Sequence, residues 1–519
     1  MRVLLLSMPD SFEHMAPVAI RMPNGALASL AGNVDPHHDV AIADLVLAQG
    51  RVGPTIERLI REQPPEVVGL SVMTFQRATA FAIAALVRRL APTAHIVAGG
   101  YDPTLAPDAY EPVAAIDSLV RGEGEHTFRT LLRTIEAGGD LAAIPGLSFR
   151  RAGTLVHNPG RAVARLATEP LALPNRRSRV LNGYTLLGRP VDVVETSRGC
   201  TFDCSFCSII EMRGRNFHPY PIERVLEDLA DARRHGARAI FLVDDNITLD
   251  VRRFERLCEA IVAHGLHDMD YAVQAMTAPL AEHGATLAPL MRRAGFRYVF
   301  LGIENVLADD LRFLKAAAKN ARRRSGRTVG NASVTAIEHL HRHGLYVVGG
   351  LIVGNPGDTP ASIEANLAFA RRYVDWPYIQ HPTPYPGTPM TEEFRRRGLI
   401  VDEDVSHYDG TTAVVRTDHV PADDIEFLRW RAERWMKVRH MPAALRHSPG
   451  FVLRHGRAML RHTFAGTTLR TLFGLEDERR AFERFRAIRR RERDVATRTE
   501  LAVEQAPAPL SHARAAAMR

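Results

Sequence analysis

Residues 197–209 read SRGCTFDCSFCSI and follow directly on an apolar run, VDVVET (191–196), with the length and β-branched content of a buried strand. Cys200, Cys204 and Cys207 are thus separated by three and two residues in a loop at a strand end. Three thiolates so spaced can hold three irons of a [4Fe–4S] cluster and leave the fourth iron open to a small molecule. A structural zinc site would need a fourth ligand, from Cys258 in the helical stretch RRFERLCEAIV or from one of 22 histidines, and the usual Cys-x2-Cys pairing is absent on one side. Cys258 reads better as a small apolar core residue. Four cysteines in 519 residues exclude a disulfide scaffold and point to a reducing compartment.

Downstream of the loop, AIFLVDD (239–245), YAVQAM (271–276), YVFLGIE (298–304), LYVVGGLIVG (345–354) and YIQHPT (378–383) alternate with helical stretches. With VDVVET they make six strand–helix units, which predicts a partial (β/α)6 barrel with its chemistry at the strand C-termini. Upstream, RVLLLS (2–7), DVAIAD (39–44), VVGLSV (67–72), HIVAGG (95–100) and DSLVRGEGE (117–125) alternate with amphipathic stretches. That pattern predicts a doubly wound parallel sheet of flavodoxin-like α/β type. Ligands of such sheets bind beyond the carboxyl ends of the strands, which here carry Ser71, Thr74, Gly99, Gly100, Gly122 and Glu123. The expected organisation is a sheet domain over 1–140, a Pro- and Arg-rich linker with one hairpin over 141–190, the barrel over 191–400, a helical basic region over 401–495 and a flexible tail over 496–519.

Hydrophobic residues make up 46% and charged residues 24%, the composition of a globular chain rather than a disordered one. No run reaches the roughly 18 apolar residues needed to span a bilayer. MRVLLLSMPDSFEHM breaks at Pro9 and Asp10 without a cleavage-like site, so a cytoplasmic protein is expected.

The cysteine loop resembles the signature of the radical S-adenosylmethionine (SAM) superfamily, including Phe206 before the third cysteine. The resemblance implies that SAM chelates the open iron and is cleaved on electron transfer to a 5′-deoxyadenosyl radical, the electron coming from a flavodoxin- or ferredoxin-type donor. It also implies SAM contacts from Phe206, Asp244, Gln274, Glu304 and Gly354, at later strand ends that include Asp244-Asp245-Asn246 and Gly354-Asn355-Pro356-Gly357-Asp358. Tyr385-Pro386-Gly387-Thr388-Pro389 resembles a segment that family members place near the cavity.

The N-terminal region resembles the cobalamin-binding domain that precedes the barrel in one branch of this superfamily. The likeness rests on Pro23-Asn24-Gly25, on Gly69 to Thr74, on Ala98-Gly99-Gly100 and on Gly122 to Glu125, and implies cobalamin contacts from Ser71, Met73, Thr74, Gly99, Gly100, Gly122 and Glu123. The Asp-x-His-x-x-Gly motif that supplies a cobalt ligand is missing. Met8 to His14 stands in its place, and Asp35-Pro36-His37 has Val40 where the glycine should be, so cobalamin without a histidine ligand is expected. The rival is a domain whose small residues are turn chemistry alone.

The cluster uses three of four cysteines, which argues against subfamilies with auxiliary clusters, the methylthiotransferases among them. What remains are cobalamin-dependent methylases and ring-forming enzymes that resemble the anaerobic magnesium-protoporphyrin ester cyclase. The first reading is C-methylation of an unactivated carbon in a lipid-like polycyclic substrate, for which the hopanoid C-3 methylases are the family to test first. The second is oxidative cyclisation of a tetrapyrrole, and a third, of another class, is a non-catalytic cobalamin or iron–sulfur sensor.

The formal charge of +8 is concentrated: residues 429–470 hold ten Arg or Lys against one acid, Glu433. Aromatic and aliphatic residues interleave with these arginines, as in a helix lying on a membrane surface, which would make the protein peripheral on the inner face of the membrane. An arginine-rich outer face of a helical subdomain is the alternative. No RNA-binding module pattern is present, so no nucleic-acid partner is expected. ERRAFERFRAIRRRERD (478–494) reads as a self-compensating, solvated helix.

Overall fold

The computed structural model describes residues 1–11, 18–169, 171–324, 327–494 and 501. The expected tail over 496–519 and His14 lie outside these residues, Leu501 apart.

The first sheet runs, edge to edge, Asp39–Asp44, Arg2–Ser7, Val67–Ser71, His95–Gly99, Ser118–Val120, Leu147–Arg151 and Thr154–His157. Its first five strands are parallel, in flavodoxin-like order. Helices cover both faces, so the strands read as continuous apolar runs; in RVLLLS only Arg2 is exposed. The hairpin anticipated within the linker forms, but it is part of this sheet: Leu147–Arg151 pairs antiparallel with Ser118–Val120 and covers what would be an open edge.

The second sheet runs Trp376–Gln380, Tyr346–Ile352, Phe296–Glu304, Asp270–Met276, Ala239–Leu242 and Arg189–Val194, all parallel and in sequential order. It is a six-stranded half-barrel rather than a closed one. Beyond Arg189–Val194 it continues with Thr185–Leu186 and then Ile20–Arg21, both antiparallel, so a segment from the N-terminal region completes the barrel sheet. Its core is aromatic and aliphatic: Phe254, Tyr271 and Phe296 are fully buried, with Phe254 and Phe296 edge to face at 5.4 Å. Cys258 is fully buried in the same core, away from the other three cysteines.

The C-terminal region is helical, with helices Ala422–Arg439, Met441–His447, Pro449–Thr463, Leu469–Leu472 and Glu478–Asp494. Two sequence expectations need correction here. The first part of the basic stretch 429–470 is surface only in part: Arg431 and Arg439 are exposed, but Arg429 and Arg434 are buried, Arg429 donating to the carbonyls of Ile379 (3.3 Å) and Thr411 (2.9 Å), and Arg434 stacking on Trp430 at 3.8 Å. The Glu478–Asp494 helix is not solvated all round either, because Ala481 and Phe482 are buried against Phe427 and Trp430. In the second case the arginine heads pair at the rim while the apolar stripe packs inward.

Candidate functional site

The cysteine loop is pinned from three sides. Gly199, at φ +88°, sits where a Cβ would come within 2.3 Å of Asn216 Oδ1, so no side chain fits there. Asp245 accepts from the Gly199 amide at 2.7 Å, and both Asp244 oxygens accept from the strand end, from the Thr196 amide (2.7 Å) and hydroxyl (2.6 Å) and from the Ser197 hydroxyl. On the other side the Ser205 amide and hydroxyl donate to the carbonyls of Leu314 (3.0 Å) and Phe313 (2.9 Å), while the Met390 amide donates to the Ser205 carbonyl at 2.9 Å. Asn246 Nδ2 lies 3.6 Å from Cys200 Sγ and 3.0 Å from Met276 Sδ.

The thiols suit a cluster better than a single ion. Among the described residues the three sulfurs do not form a group converging on one ion, whereas His37, His38 and Glu136 do. Burial pushes Cys204 up to about 11 and Cys207 up to about 12, the values of inert thiols that metal binding must deprotonate. A buried cation faces them. Burial alone would lower Lys319, but the Glu304 carboxylate paired with it outweighs that and holds the ammonium protonated. Lys319 pairs with Glu304 and lies 5.6 Å above the Phe206 ring. Glu304 itself has φ +60°, at a register shift in its strand pairing, the kind of strain found where a side chain is aimed for function.

Two cavities lie nearby, and the smaller reaches this loop at Arg198. One, of 480 Å³, opens at the carboxyl ends of the first sheet and is bordered by Ser71, Met73, Gly99, Gly100, Gly122 and Glu123. Gly100, at φ +106°, would bring a Cβ within 2.9 Å of the Val72 carbonyl, whereas Gly122, at φ +76°, faces open space. Glu123 Oε1, on the same wall, is ion-paired with Arg198 (3.5 Å) and Arg213 (4.0 Å). A glycine-lined cradle with an ion-paired polar wall fits a large amide-bearing ligand such as cobalamin. Asn24, whose side chain caps the helix Gly25–Asn33 by accepting from Leu27, also donates to Ser71 Oγ at 3.0 Å. No histidine among the described residues borders this cavity; His37 pairs with Glu136 ahead of the Asp39–Asp44 strand, at the opposite end of the sheet.

The other cavity, of 730 Å³, shares Asn24, Ser71 and Met73 with the first and fills the half-barrel. Alternate residues of successive strands face it: Gln274, then Tyr298 and Phe300, Tyr346 and Val348, Trp376 and Tyr378. Phe300 and Tyr378 stand edge to face at 5.1 Å. The helices Met441–His447 and Pro449–Thr463 close the open side, and Tyr298 is hydrogen-bonded to Ser448 at 2.6 Å.

The residues singled out from the sequence therefore fall in three places. Ser71, Met73, Gly99, Gly100, Gly122 and Glu123 border the smaller cavity, and Gln274 the larger. Phe206 and Glu304 gather with Lys319 beside the cysteines, and Tyr385 packs in the same apolar cluster as Cys204. Thr74, Asp244 and Gly354 border neither cavity: Thr74 is buried at the start of a short turn, Asp244 braces the cysteine loop, and the Gly354 amide donates to Asp358 at 2.8 Å. Burial pushes Asp244 up to about 6 despite the hydrogen bonds from Ser197 and Thr196.

Sequence reading missed Lys319 and an interdomain clamp. Arg198, two residues before Cys200, donates to Glu125 (2.7 Å) in the first domain and to Glu195 (2.7 Å), and all three sit at least three-quarters buried. Burial would raise Glu125, but Arg198 and the Ser29 hydroxyl bring it down to about 2. Removing one partner of such a buried pair costs about 3–5 kcal/mol. Both are single charged residues in runs with no periodic signal.

Comparison with known proteins agrees with this geometry. The Radical SAM superfamily model matches residues 194–370 and the B12 binding domain model residues 15–132. A protein of Pyrococcus horikoshii described as an uncharacterized methyltransferase is 28% identical over 83% of this chain and 91% of its own length. The anaerobic magnesium-protoporphyrin IX monomethyl ester cyclase of Synechocystis is 26% identical over 62% of this chain and 64% of its own, and the hopanoid C-3 methylase of Methylococcus capsulatus 27% over 53% and 49%. Among solved structures, the radical SAM methyltransferase TsrM of Kitasatospora setae superposes with a TM-score of 0.61 at 21% identity, over 76% of this chain and 78% of that one, a likeness of fold. The chain is a radical SAM enzyme with an N-terminal cobalamin-binding domain. Its relatives include both methyltransferases and cyclases, and its two domains are of the kinds that take a [4Fe–4S] cluster, SAM and cobalamin.

Proposed function

We propose that the protein methylates an unactivated carbon of a lipid-like polycyclic substrate, with C-3 of a hopanoid as the first candidate. One observation carries the reading: the 730 Å³ cavity is walled by aromatic and aliphatic side chains and meets the glycine-lined cradle at Ser71 and Met73. A large, rather rigid apolar molecule fits such a wall, and the likeness to the hopanoid methylase supports the choice.

When bound, the cofactors supply a hydrogen-abstracting radical and a methyl group. The chain's own part is positional. Cys200, Cys204 and Cys207 would hold the cluster, with Lys319 offsetting its negative charge and Phe206 and Glu304 beside it. Ser71, Met73, Gly99, Gly100, Gly122 and Glu123 would cradle cobalamin. Gln274, Phe300 and Tyr378 would orient the substrate and exclude water, and no general base is required. Electrons would come from a flavodoxin- or ferredoxin-type donor, and the enzyme would work at the inner face of the membrane that holds its substrate.

The test is anaerobic turnover of reconstituted protein with cobalamin, reductant, methyl-labelled SAM and a membrane-lipid extract. Formation of 5′-deoxyadenosine and S-adenosylhomocysteine with label in lipid is expected. If 5′-deoxyadenosine forms without S-adenosylhomocysteine or label, methylation fails and the tetrapyrrole cyclisation suggested by the second relative takes its place. If SAM is not cleaved at all, a sensor replaces the enzyme.

A further inference from the structure

The Pro449–Thr463 helix has two unlike faces. Val452, Gly456, Met459 and Thr463 border the 730 Å³ cavity, while Leu453, Arg454, Arg457 and Arg461 point to solvent. Leu460 belongs to both, bordering the cavity and remaining 43% exposed. Further along, Leu469, Phe473 and Leu475 are 72%, 75% and 69% exposed, and Leu453 82%. Between residues 441 and 475 the chain has five arginines, Arg446, Arg454, Arg457, Arg461 and Arg470, every one exposed, and no Asp or Glu.

A soluble surface rarely leaves several large apolar side chains in water close together in sequence. Here they alternate with cations that have no acidic neighbour in the segment. That combination is complementary to a surface with anionic headgroups outside and hydrocarbon beneath. Nucleic acid would satisfy the arginines and leave Leu453, Leu469, Phe473 and Leu475 in water.

We infer that residues 441–475 dock on an anionic lipid bilayer and that the Pro449–Thr463 helix is the wall past which a lipid enters the cavity. The inference rests on the lipid-substrate reading above and adds to it a route: a molecule leaving the bilayer at Leu460 reaches the barrel without crossing water. The basic residues that matter are then Arg446, Arg454, Arg457, Arg461 and Arg470, and not the buried Arg429 and Arg434.

Full-length protein is sedimented with vesicles of phosphatidylcholine alone and of phosphatidylcholine mixed with phosphatidylglycerol. Binding is expected to the mixed vesicles, weakened by salt, and to fall at least about tenfold both in Leu453→Asp/Phe473→Asp and in Arg454→Glu/Arg457→Glu. Iron content and SAM cleavage should be unchanged in both variants, since none of these residues borders a cavity. Failure of the parent protein to bind mixed vesicles, equal binding by the variants, or capture by single-stranded nucleic acid instead of vesicles overturns the docking surface. Labelled product from detergent-dispersed lipid without vesicle binding would overturn docking and leave the substrate reading standing; vesicle binding without labelled lipid would do the reverse.

Discussion

The two cavities that meet at Ser71 and Met73 are walled by different materials. The smaller has a stretch of glycine backbone at the ends of parallel strands, at Gly99, Gly100, Gly122 and Gly124 where the chain turns. The larger is bounded by side chains, Tyr298, Phe300, Tyr346, Trp376 and Tyr378, projecting from a continuous sheet. A backbone wall has one shape and changes only if the chain moves. A side-chain wall can be recut one residue at a time with the sheet intact. The first construction suits a cofactor that never varies, and the second a substrate that differs between relatives of one fold.

The largest effect is expected from the cysteine loop. Replacing Cys200, Cys204 and Cys207 by Ala should abolish the iron chromophore and all SAM cleavage, while cobalamin still binds the glycine-lined cradle. Retained SAM cleavage would refute the cluster assignment; loss of cobalamin together with iron would show that the two sites are not separate. Next comes the backbone wall itself. Gly100→Val must place a Cβ against the Val72 carbonyl at positive φ, and should cut cobalamin content at least about tenfold with iron unchanged. The side-chain wall should answer differently. Phe300→Ala is expected to lower kcat/KM on the proposed lipid substrate about tenfold with iron and cobalamin contents both intact, since Phe300 borders the larger cavity and not the smaller.

The same contrast explains what could be read in advance. Parallel strands buried on both faces are continuous apolar runs, so RVLLLS, VVGLSV and the six barrel strands stand out, and a glycine beside a strand end marks a cradle. The aromatic wall was hidden in those runs. Tyr298 and Phe300, or Tyr346 and Val348, alternate with equally apolar neighbours that face the helices, so period two leaves no polarity contrast to detect. Asp244 was legible as a special position, but its bracing of the loop beside it was not, because an acidic pair at a strand end looks the same in sequence whatever it holds. Lys319 and the Arg198–Glu125 clamp depend on chain segments 15 and 73 residues apart, or more, and single charges carry no trace of such pairings.

The smallest effect belongs to a pair of carboxyls that borders neither cavity and so serves as a control on the comparison. Asp358 is buried at the turn after the Tyr346–Ile352 strand, where it accepts from the amides of Gly354 (2.8 Å) and Asn355 (2.9 Å). Asp310 lies beside it, and burial together with the Asp358 charge pushes Asp310 from its ordinary 3.8 up to about 7. The folded protein therefore keeps this proton across an interval in which the unfolded chain has already released it. Stability from Asp310 is fully present below the lower value and is lost as pH rises through about 7. Denaturant midpoints should thus be lower at pH 8 than at pH 5, and Asp310→Asn, with no proton to lose, should flatten that difference. Iron content, cobalamin content and substrate preference should not respond, because the pair stands on neither wall; a change in any of them would mean that this turn reaches the site, and that the two walls do not divide its work as cleanly as their construction indicates.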